Sequence, residues 1–132
     1  MASIALAQFS HLEEEIKIRN MIAEKYWEGL KNVEKIGFIR IPNNCCSSRW
    51  LFQIIVENRD ALIRYLEKRQ IYAGIHYLDN TLFKPYRYAK GTCPKAQYYS
   101  ERIVSLPFHL KLTDVDIQFV IDTIIEFMET QK

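Results

Sequence analysis

Side chains that could bind a polar ligand are concentrated between positions 71 and 93. This stretch has no clean helical or strand periodicity and is rich in aromatic residues, so it predicts an ordered surface loop. It contains the adjacent pair His76 and Tyr77, followed by Asp79 and Asn80, whose groups can form hydrogen bonds to hydroxyl-rich ligands. Asp and Asn also populate turns for conformational reasons alone, so a purely structural role is an equal alternative for these two residues.

The same stretch interleaves tyrosines with Lys84, Arg87 and Lys90, a pattern that can stack on the bases of a single-stranded nucleic acid. The charge of the whole chain argues against that use. Its 132 residues carry 18 Lys and Arg against 16 Asp and Glu, a net charge of +2, and the two signs are intermixed along the sequence. We therefore expect no nucleic-acid partner.

The cysteines and histidines form no metal-binding pattern. Cys45 and Cys46 are adjacent, Cys93 is remote, and the three histidines are scattered singly, whereas zinc needs about four ligands at regular spacings. Adjacent cysteines rarely pair with each other, so a disulfide framework would leave an unpaired thiol. Because the sequence also has no apolar run long enough to cross a bilayer and no signal-peptide pattern, we expect a cytoplasmic protein without a membrane partner.

Two long helices are expected at the ends of the chain. Positions 3–31 contain no proline, and no glycine before Gly29, and an apolar stripe with helical spacing predicts one continuous helix. In the last helix, Thr113 and Asp116 form an acidic variant of the capping box ahead of an apolar stripe. Both helices have more apolar residues than one core needs, which predicts an exposed patch and self-association. The surplus residues are Ile18, Ile22, Phe119, Ile125 and Phe127.

Between these helices the pattern predicts a small sheet. Two runs rich in β-branched and aromatic residues flank a cluster of turn formers, so they are expected to be antiparallel neighbours. The expected strands lie at 36–41, 50–56 and 103–106, and shorter helices are expected at 59–69, after the potential cap Asn58, and at 94–101. The sequence therefore predicts a single α+β domain over residues 1–132, with a small, mostly antiparallel sheet of about three strands covered by helices.

Several short strings occur in the same order, and at matching separations, as in a known enzyme family. The chain opens with Ala-Leu-Ala-Gln at 5–8, and Gly-Ile-His-Tyr follows at 74–77. Cys-Pro-Lys-Ala at 93–96 then precedes Ser-Leu-Pro at 105–107 and a Leu-Thr with acidic residues at 112–116. Over nearly the whole chain these strings resemble the C-terminal small domain of the DegT/DnrJ/EryC1/StrS family, the pyridoxal-phosphate-dependent (PLP-dependent) aminotransferases of nucleotide sugars.

The resemblance implies the fold of the small domain of fold-type I PLP aminotransferases. An intact family enzyme transfers an amino group from glutamate to a keto-sugar nucleotide. The family's aldimine lysine and phosphate-binding groups lie in a large N-terminal domain that this chain lacks, so we expect it to have no catalytic residues and to bind no cofactor alone. The implied partner is a large PLP-binding domain, with this chain as a split-gene product or an excised fragment.

The resemblance also assigns a role to the loop. His76 and Tyr77 are expected to line the nucleotide-sugar pocket, with Asp79 and Asn80 in the same sugar-facing segment. Positions 78–82 depart from the commonest family pattern, which has a proline after the His-Tyr and a second histidine, so the resemblance does not name the sugar. The alternative from another functional class is a non-catalytic remnant that serves as an interaction or dimerisation module.

Overall fold

The computed structural model describes residues 2–131. The α-helices are α1 (Ala2–Phe9), α2 (Leu12–Leu30), α3 (Arg59–Glu67), α4 (Pro94–Arg102) and α5 (Asp114–Thr130). The strands are β1 (Gly37–Phe38), β2 (Gln53–Ile55) and β3 (Ile103–Ser105), and short 3₁₀ turns lie at Asn80–Leu82 and Lys84–Ala89. The predicted α+β class with a three-stranded sheet is confirmed. Within 2–131 no helix is both long and apolar enough to cross a membrane.

The strands form an antiparallel sheet with β2 in the centre. Ile54 pairs with Phe38 on one side and Val104 on the other, and Gln53 pairs with Ser105. Because successive residues of a strand point to opposite faces, Ile54 and Val104 share one face, which we call the core face. Gln53 and Ser105 share the other, which we call the loop face. The strands are shorter than the sequence runs suggested.

The core face is covered by helices. Tyr26 and Leu30 of α2, Leu62 and Leu66 of α3 and Ile124 of α5 are all 0% exposed. Burying a large aliphatic side chain stabilises a fold by about 1.5–3 kcal/mol, so these few residues contribute much of the stability. The Tyr26 hydroxyl donates to the carbonyl of Pro107 at 3.0 Å. Burial raises the pKa of this hydroxyl above its usual range.

The capping box of α5 is confirmed. The Thr113 hydroxyl accepts a hydrogen bond from the backbone N–H of Asp116 at 3.2 Å, and the Asp116 carboxylate accepts one from the backbone N–H of Thr113 at 2.9 Å. The predicted cap Asn58 stands at the N-cap position of α3, but its side chain donates to Gln131 at 3.0 Å and makes no bond to the helix.

The prediction of one continuous first helix is wrong. The chain turns at Ser10 and His11, between α1 and α2. The Ser10 hydroxyl donates to the carbonyl of Ala7 at 2.8 Å and the N–H of His11 donates to the carbonyl of Gln8 at 3.1 Å, so these bonds close the last turn of α1. Every side chain of α1 from Ser3 onward is exposed, so little tertiary packing holds α1 in line with α2.

The prediction of surplus apolar surface on the two long helices is also wrong for four of its five residues. Ile22 and Phe127 are 3% and 4% exposed, and Ile18 and Ile125 pack against the core, whereas Phe119 is 51% exposed. The residues are covered because α2 and α5 meet each other and α3 adds Tyr65, whose ring lies 5.2 Å from that of Phe127. Both helices still expose apolar side chains, but apart from Phe119 they are other residues than those predicted, Met21 and Trp27 of α2 and Val115 of α5 among them. Further exposed apolar side chains lie on α1 and in the loop: Ile4, Leu6, Phe9, Leu82, Phe83 and Tyr88.

Candidate functional site

A hydrogen-bonded group on the loop face holds His76 in place. Ser105 Oγ lies 2.9 Å from Nδ1 of His76 and accepts a bond from Gln53 Nε2 at 3.1 Å. Gln53 Nε2 also donates to the carbonyl oxygen of His76 at 2.7 Å. Ser105 is only 3% exposed, so its hydroxyl is a dry, fixed partner for the imidazole. The Ser105 hydroxyl can donate to Nδ1, which leaves the Nε2 N–H of His76 as the ring's donor.

Gly74 sets the approach of His76 to the sheet. Its N–H donates to the carbonyl of Ser105 at 2.9 Å and its carbonyl accepts from the N–H of Ser105 at 2.8 Å, so this segment adds one bridge to the edge of β3. A Cβ at position 74 would lie 2.7 Å from Cε1 of His76. The absence of a side chain is therefore what lets the imidazole lie over the backbone and reach Ser105.

Two aromatic rings lie beside His76. Its ring centroid is 6.2 Å from that of Trp50 and 5.1 Å from that of Tyr77, both in edge-on orientations, and the His76–Tyr77 peptide bond is cis. Trp50 and Tyr77 are 62% and 66% exposed. Together Trp50, His76 and Tyr77 form a shelf, the aromatic shelf, which presents an imidazole and a phenol to a ligand from outside the fold.

Asp79 and Asn80 lie next to a different buried serine. The Asp79 N–H donates to Ser100 Oγ at 2.6 Å, and its carboxylate accepts from the N–H and the hydroxyl of Thr81 at 2.9 and 2.7 Å. Asp79 thus caps the 3₁₀ turn that Asn80 begins, and the Asn80 side chain is exposed. Asp79 therefore has the structural, turn-forming role that was the alternative for it. Contact of Asp79 or Asn80 with a sugar stays a prediction.

Arginines tie the loop to the rest of the fold. Arg59 of α3 donates from Nη1 to the carbonyl of Ser100, the residue whose hydroxyl accepts the Asp79 N–H. Arg102 bonds both carboxylate oxygens of Glu57 at 3.1 and 3.0 Å, and those bonds raise the pKa of its guanidinium. Both Ser100 and Arg102 belong to α4, so these contacts hold α4 in place. The exposed loop that precedes α4 therefore has a fixed end.

Sequence reasoning placed His76 and Tyr77 in the loop but missed the groups that hold them. Gln53 is the only polar residue in the run 50–56, and Ser105 belongs to the Ser-Leu-Pro string. A polar residue in an apolar strand signals a buried hydrogen bond. Its partner could not be named without the strand register.

The lysines between positions 2 and 131 do not fit PLP. A lysine that forms a Schiff base needs a dry or cationic surrounding that lowers its pKa. None of the lysines between positions 2 and 131 is buried, and Lys25 pairs with Asp114. The residues of this range offer no enclosed amine for the cofactor, and they contain no group of three or more His, Cys, Asp or Glu that could hold a metal.

Comparison with known proteins assigns the fold to a family. The profile of the DegT/DnrJ/EryC1/StrS aminotransferase family matches residues 1–125. An uncharacterized protein of Methanocaldococcus jannaschii is 30% identical over 133 residues, which cover 93% of this chain and 34% of the relative.

Solved structures agree with the family match. The aminotransferase TlmJ from Streptoalloteichus hindustanus superposes with a TM-score of 0.91 at 29% identity, covering 99% of this chain and 36% of TlmJ. A Streptococcus pneumoniae protein assigned as a sugar aminotransferase, solved with PLP, superposes with a TM-score of 0.88 at 27% identity, covering 98% of this chain and 35% of its own. This chain thus spans about a third of the length of these relatives. With its sequence and fold both matched, the chain belongs to the DegT/DnrJ/EryC1/StrS aminotransferase family.

Proposed function

We propose that this chain is the C-terminal small domain of a sugar aminotransferase that transfers an amino group from glutamate to a keto-sugar nucleotide. The observation that carries the proposal is the match to TlmJ, which includes 99% of this chain but 36% of the relative. The remaining part of such an enzyme is the large domain, and we propose that it holds PLP, because the lysines described here do not. We place the assembled enzyme in the cytoplasm.

In this proposal the loop face meets the sugar. Ser105 and Gln53 hold His76 and leave its Nε2 N–H as the group that can donate to a sugar oxygen, and the exposed Tyr77 hydroxyl supplies a second donor. Preset donors lower the cost of ordering a ligand, because their orientation is established before binding. Asp79 and Asn80 extend the same surface with an exposed amide.

The first test asks whether this chain works alone. Purified chain mixed with PLP should show no stoichiometric adduct at a single lysine after borohydride reduction, and transfer activity should appear only when a large-domain chain is added. Peptide mass mapping of the reduced protein measures the adduct. Trapping at one lysine, or transfer by the chain alone, would contradict the proposal.

The second test concerns the aromatic shelf. In the assembled enzyme, His76→Ala and Tyr77→Phe should lower kcat/KM for the sugar substrate while the glutamate half-reaction is nearly unchanged. One hydrogen bond to a neutral hydroxyl contributes about 0.5–1.5 kcal/mol, which corresponds to a several-fold loss or more. His109→Ala and Tyr72→Phe are matched controls, because both residues are exposed and neither contributes to the shelf. Equal losses in both half-reactions would show damage to the fold instead.

The alternative function, a non-catalytic interaction module, has one observation in its favour. Ile4, Leu6 and Phe9 of α1 are 62%, 75% and 71% exposed, and a helix with so much exposed apolar surface is typical of an interface. A large-domain partner and self-association would both cover it. The alternative gains support if the chain binds a partner through α1 and no added large domain yields transfer activity.

A further inference from the structure

Gln53 lies at one end of the hydrogen-bonded group that holds His76. Gln53 of β2 and Ser105 of β3 are cross-strand partners, so their side chains lie next to each other on the loop face. The backbone N–H and carbonyl of Ser105 both pair with Gly74, so the hydroxyl is the group that links the side chains of Gln53 and His76. These three side chains form a linear series of hydrogen bonds, which we call the Gln53 relay.

The backbone carbonyl of His76 fixes the orientation of the Gln53 amide. A carbonyl oxygen can only accept, so the amide atom that lies 2.7 Å from it is the nitrogen, Nε2. The same nitrogen lies 3.1 Å from Ser105 Oγ. An amide nitrogen donates and does not accept, so the Ser105 oxygen is the acceptor in this bond and the hydroxyl hydrogen is directed elsewhere.

The Ser105 hydroxyl hydrogen has its acceptor in Nδ1 of His76, at 2.9 Å. Among residues 2–131 the hydroxyl has no third hydrogen-bond partner, and Ser105 is only 3% exposed. If Nδ1 carried a hydrogen, both it and Gln53 would donate to Oγ, and the hydroxyl hydrogen would be buried without an acceptor. Burying an unpaired donor is costly, so the relay favours the tautomer of His76 with its hydrogen on Nε2.

We propose that Gln53 is a positioning residue that makes His76 a hydrogen-bond donor at Nε2 and thereby restricts the ligand atom at His76 to an acceptor. This inference rests on the proposed function, because the sugar is the ligand that supplies the acceptor. A hydroxyl, carbonyl or ring oxygen accepts the Nε2 N–H, whereas an ammonium group has donors only. His76 therefore favours an oxygen over a protonated amine at the position that it contacts.

The first experiment measures the tautomer of His76 in the chain by itself. The NMR chemical shifts of the two imidazole nitrogens distinguish a nitrogen that carries a hydrogen from one that does not. They are recorded at about pH 8, where imidazoles are ordinarily neutral. His76 should have a hydrogen on Nε2 and none on Nδ1. His11 and His109 are internal controls, because both are exposed and neither belongs to the Gln53 relay.

Two substitutions at position 53 change the direction of the relay. An ionised carboxylate only accepts, so in Gln53→Glu the Ser105 hydroxyl should donate to the carboxylate and accept from His76, which moves the imidazole hydrogen to Nδ1. Methionine is similar in length but has no N–H, so Gln53→Met should populate both tautomers. Gln118→Glu is the matched control, because it makes the same exchange at an exposed position of α5 and should leave the His76 shifts unchanged.

The second experiment measures the consequence in the assembled enzyme. Gln53→Glu should lower kcat/KM for the sugar substrate by a few-fold to about tenfold, because Nε2 of His76 then has no hydrogen to donate. If Gln53 acts through His76, Gln53→Glu should cause no further loss in a protein that already carries His76→Ala. A purely structural role of Gln53 would instead give additive losses.

The proposal is overturned if His76 of the native chain carries its hydrogen on Nδ1. It is also overturned if Gln53→Met and Gln53→Glu leave the His76 shifts unchanged in proteins that keep the native backbone amide spectrum. If Gln53→Glu does not fold, the shifts and the kinetics of Gln53→Met decide. Changed shifts with an unchanged kcat/KM for the sugar would overturn the restriction on the ligand.

Failure of the relay and failure of the proposed function give different results. If transfer activity is normal and the His76 shifts do not respond to position 53, the relay is refuted and the proposed function stands. If the shifts respond as expected but no added large-domain chain yields transfer, the proposed function is refuted and the relay stands.

Discussion

On the core face of the sheet, Ile54 and Val104 lie among side chains of α2, α3 and α5 and are 0% exposed. On the loop face, Gln53 and Ser105 hold His76 beside Trp50 and Tyr77, which are more than half exposed. The same two strands thus serve an apolar core on one side and a hydrogen-bonded surface on the other. Stability concentrates where water is excluded, and recognition groups concentrate where side chains remain open to a ligand but are fixed from below.

The largest difference between the two regions is expected when a large residue in each is exchanged for alanine. Leu62→Ala should lower the free energy of unfolding by about 2–5 kcal/mol, because it removes buried methyl groups and leaves a cavity. Tyr88→Ala, at 86% exposure in the loop, should change it by less than about 0.5 kcal/mol. Urea unfolding followed by circular dichroism measures both. Similar losses at the two positions would mean that the loop contributes to the core.

A smaller effect is expected where α2 and α5 touch. A Cβ at Gly29 would lie 2.7 Å from Cδ1 and 2.9 Å from Cγ2 of Ile121, which is 3% exposed and cannot move into solvent. Gly29→Ala should therefore destabilise the fold by about 1–3 kcal/mol, although alanine favours helix more than glycine does. Gly29→Ala combined with Ile121→Val should recover part of the loss in the same urea assay. A stabilised Gly29→Ala protein would show that the helices can separate at little cost.

The sequence predicted best what is encoded locally. The Thr113–Asp116 capping box lies within four residues, so the start of α5 could be predicted, and the antiparallel strands followed from their composition and the intervening turn. The break after Phe9 and the burial of Ile22 and Phe127 were missed. Both features depend on which helices pack against each other. An apolar stripe in the sequence does not show how much of a helix surface its neighbours cover.

The candidate site could likewise be predicted only where its residues lie close together in the sequence. His76 and Tyr77 stand out because they fall in an aperiodic aromatic stretch and in a familiar string. The bond from Gln53 to Ser105 joins residues 52 positions apart and exists only because β2 and β3 pair in one register. The Nε of Arg49 is buried and has no hydrogen-bond partner among residues 2–131, which no spacing in the sequence reveals.

On the loop face, a smaller loss of stability is expected when the partner of His76 is removed. Ser105→Ala should destabilise the fold by about 1 kcal/mol, and a double-mutant cycle with His76→Ala should give a coupling energy of about 0.5–1.5 kcal/mol. The physical reason is the 2.9 Å contact between Ser105 Oγ and His76 Nδ1, made in a dry setting. A cycle of Ser105→Ala with Leu6→Ala, which is 75% exposed on α1, should show additive effects. Zero coupling in the first cycle would mean that His76 is held by other contacts.

The smallest effect expected is the pH dependence of stability that comes from the capping box of α5. The Thr113 hydroxyl and N–H donate to the Asp116 carboxylate, and these bonds hold its pKa below the usual range. Since the folded-state pKa is lower than the unfolded value of about 3.9, this contribution to stability is present above that value. It is lost as the pH falls through the folded-state pKa.

Asp116→Asn isolates that contribution. The difference in urea midpoint between the native chain and Asp116→Asn should be largest near pH 6 and should shrink as the pH falls from about 5 toward 3, because protonation removes the charge that the variant already lacks. Asp60 also has a lowered pKa, through a hydrogen bond from Arg59, so Asp60→Asn serves as the matched carboxylate. The Asp116→Asn protein should keep the acid sensitivity that Asp60 supplies, and the double variant should lose both parts. A midpoint difference that stays constant over this pH range would mean that the cap acts through geometry alone and that the Asp116 charge contributes nothing to stability.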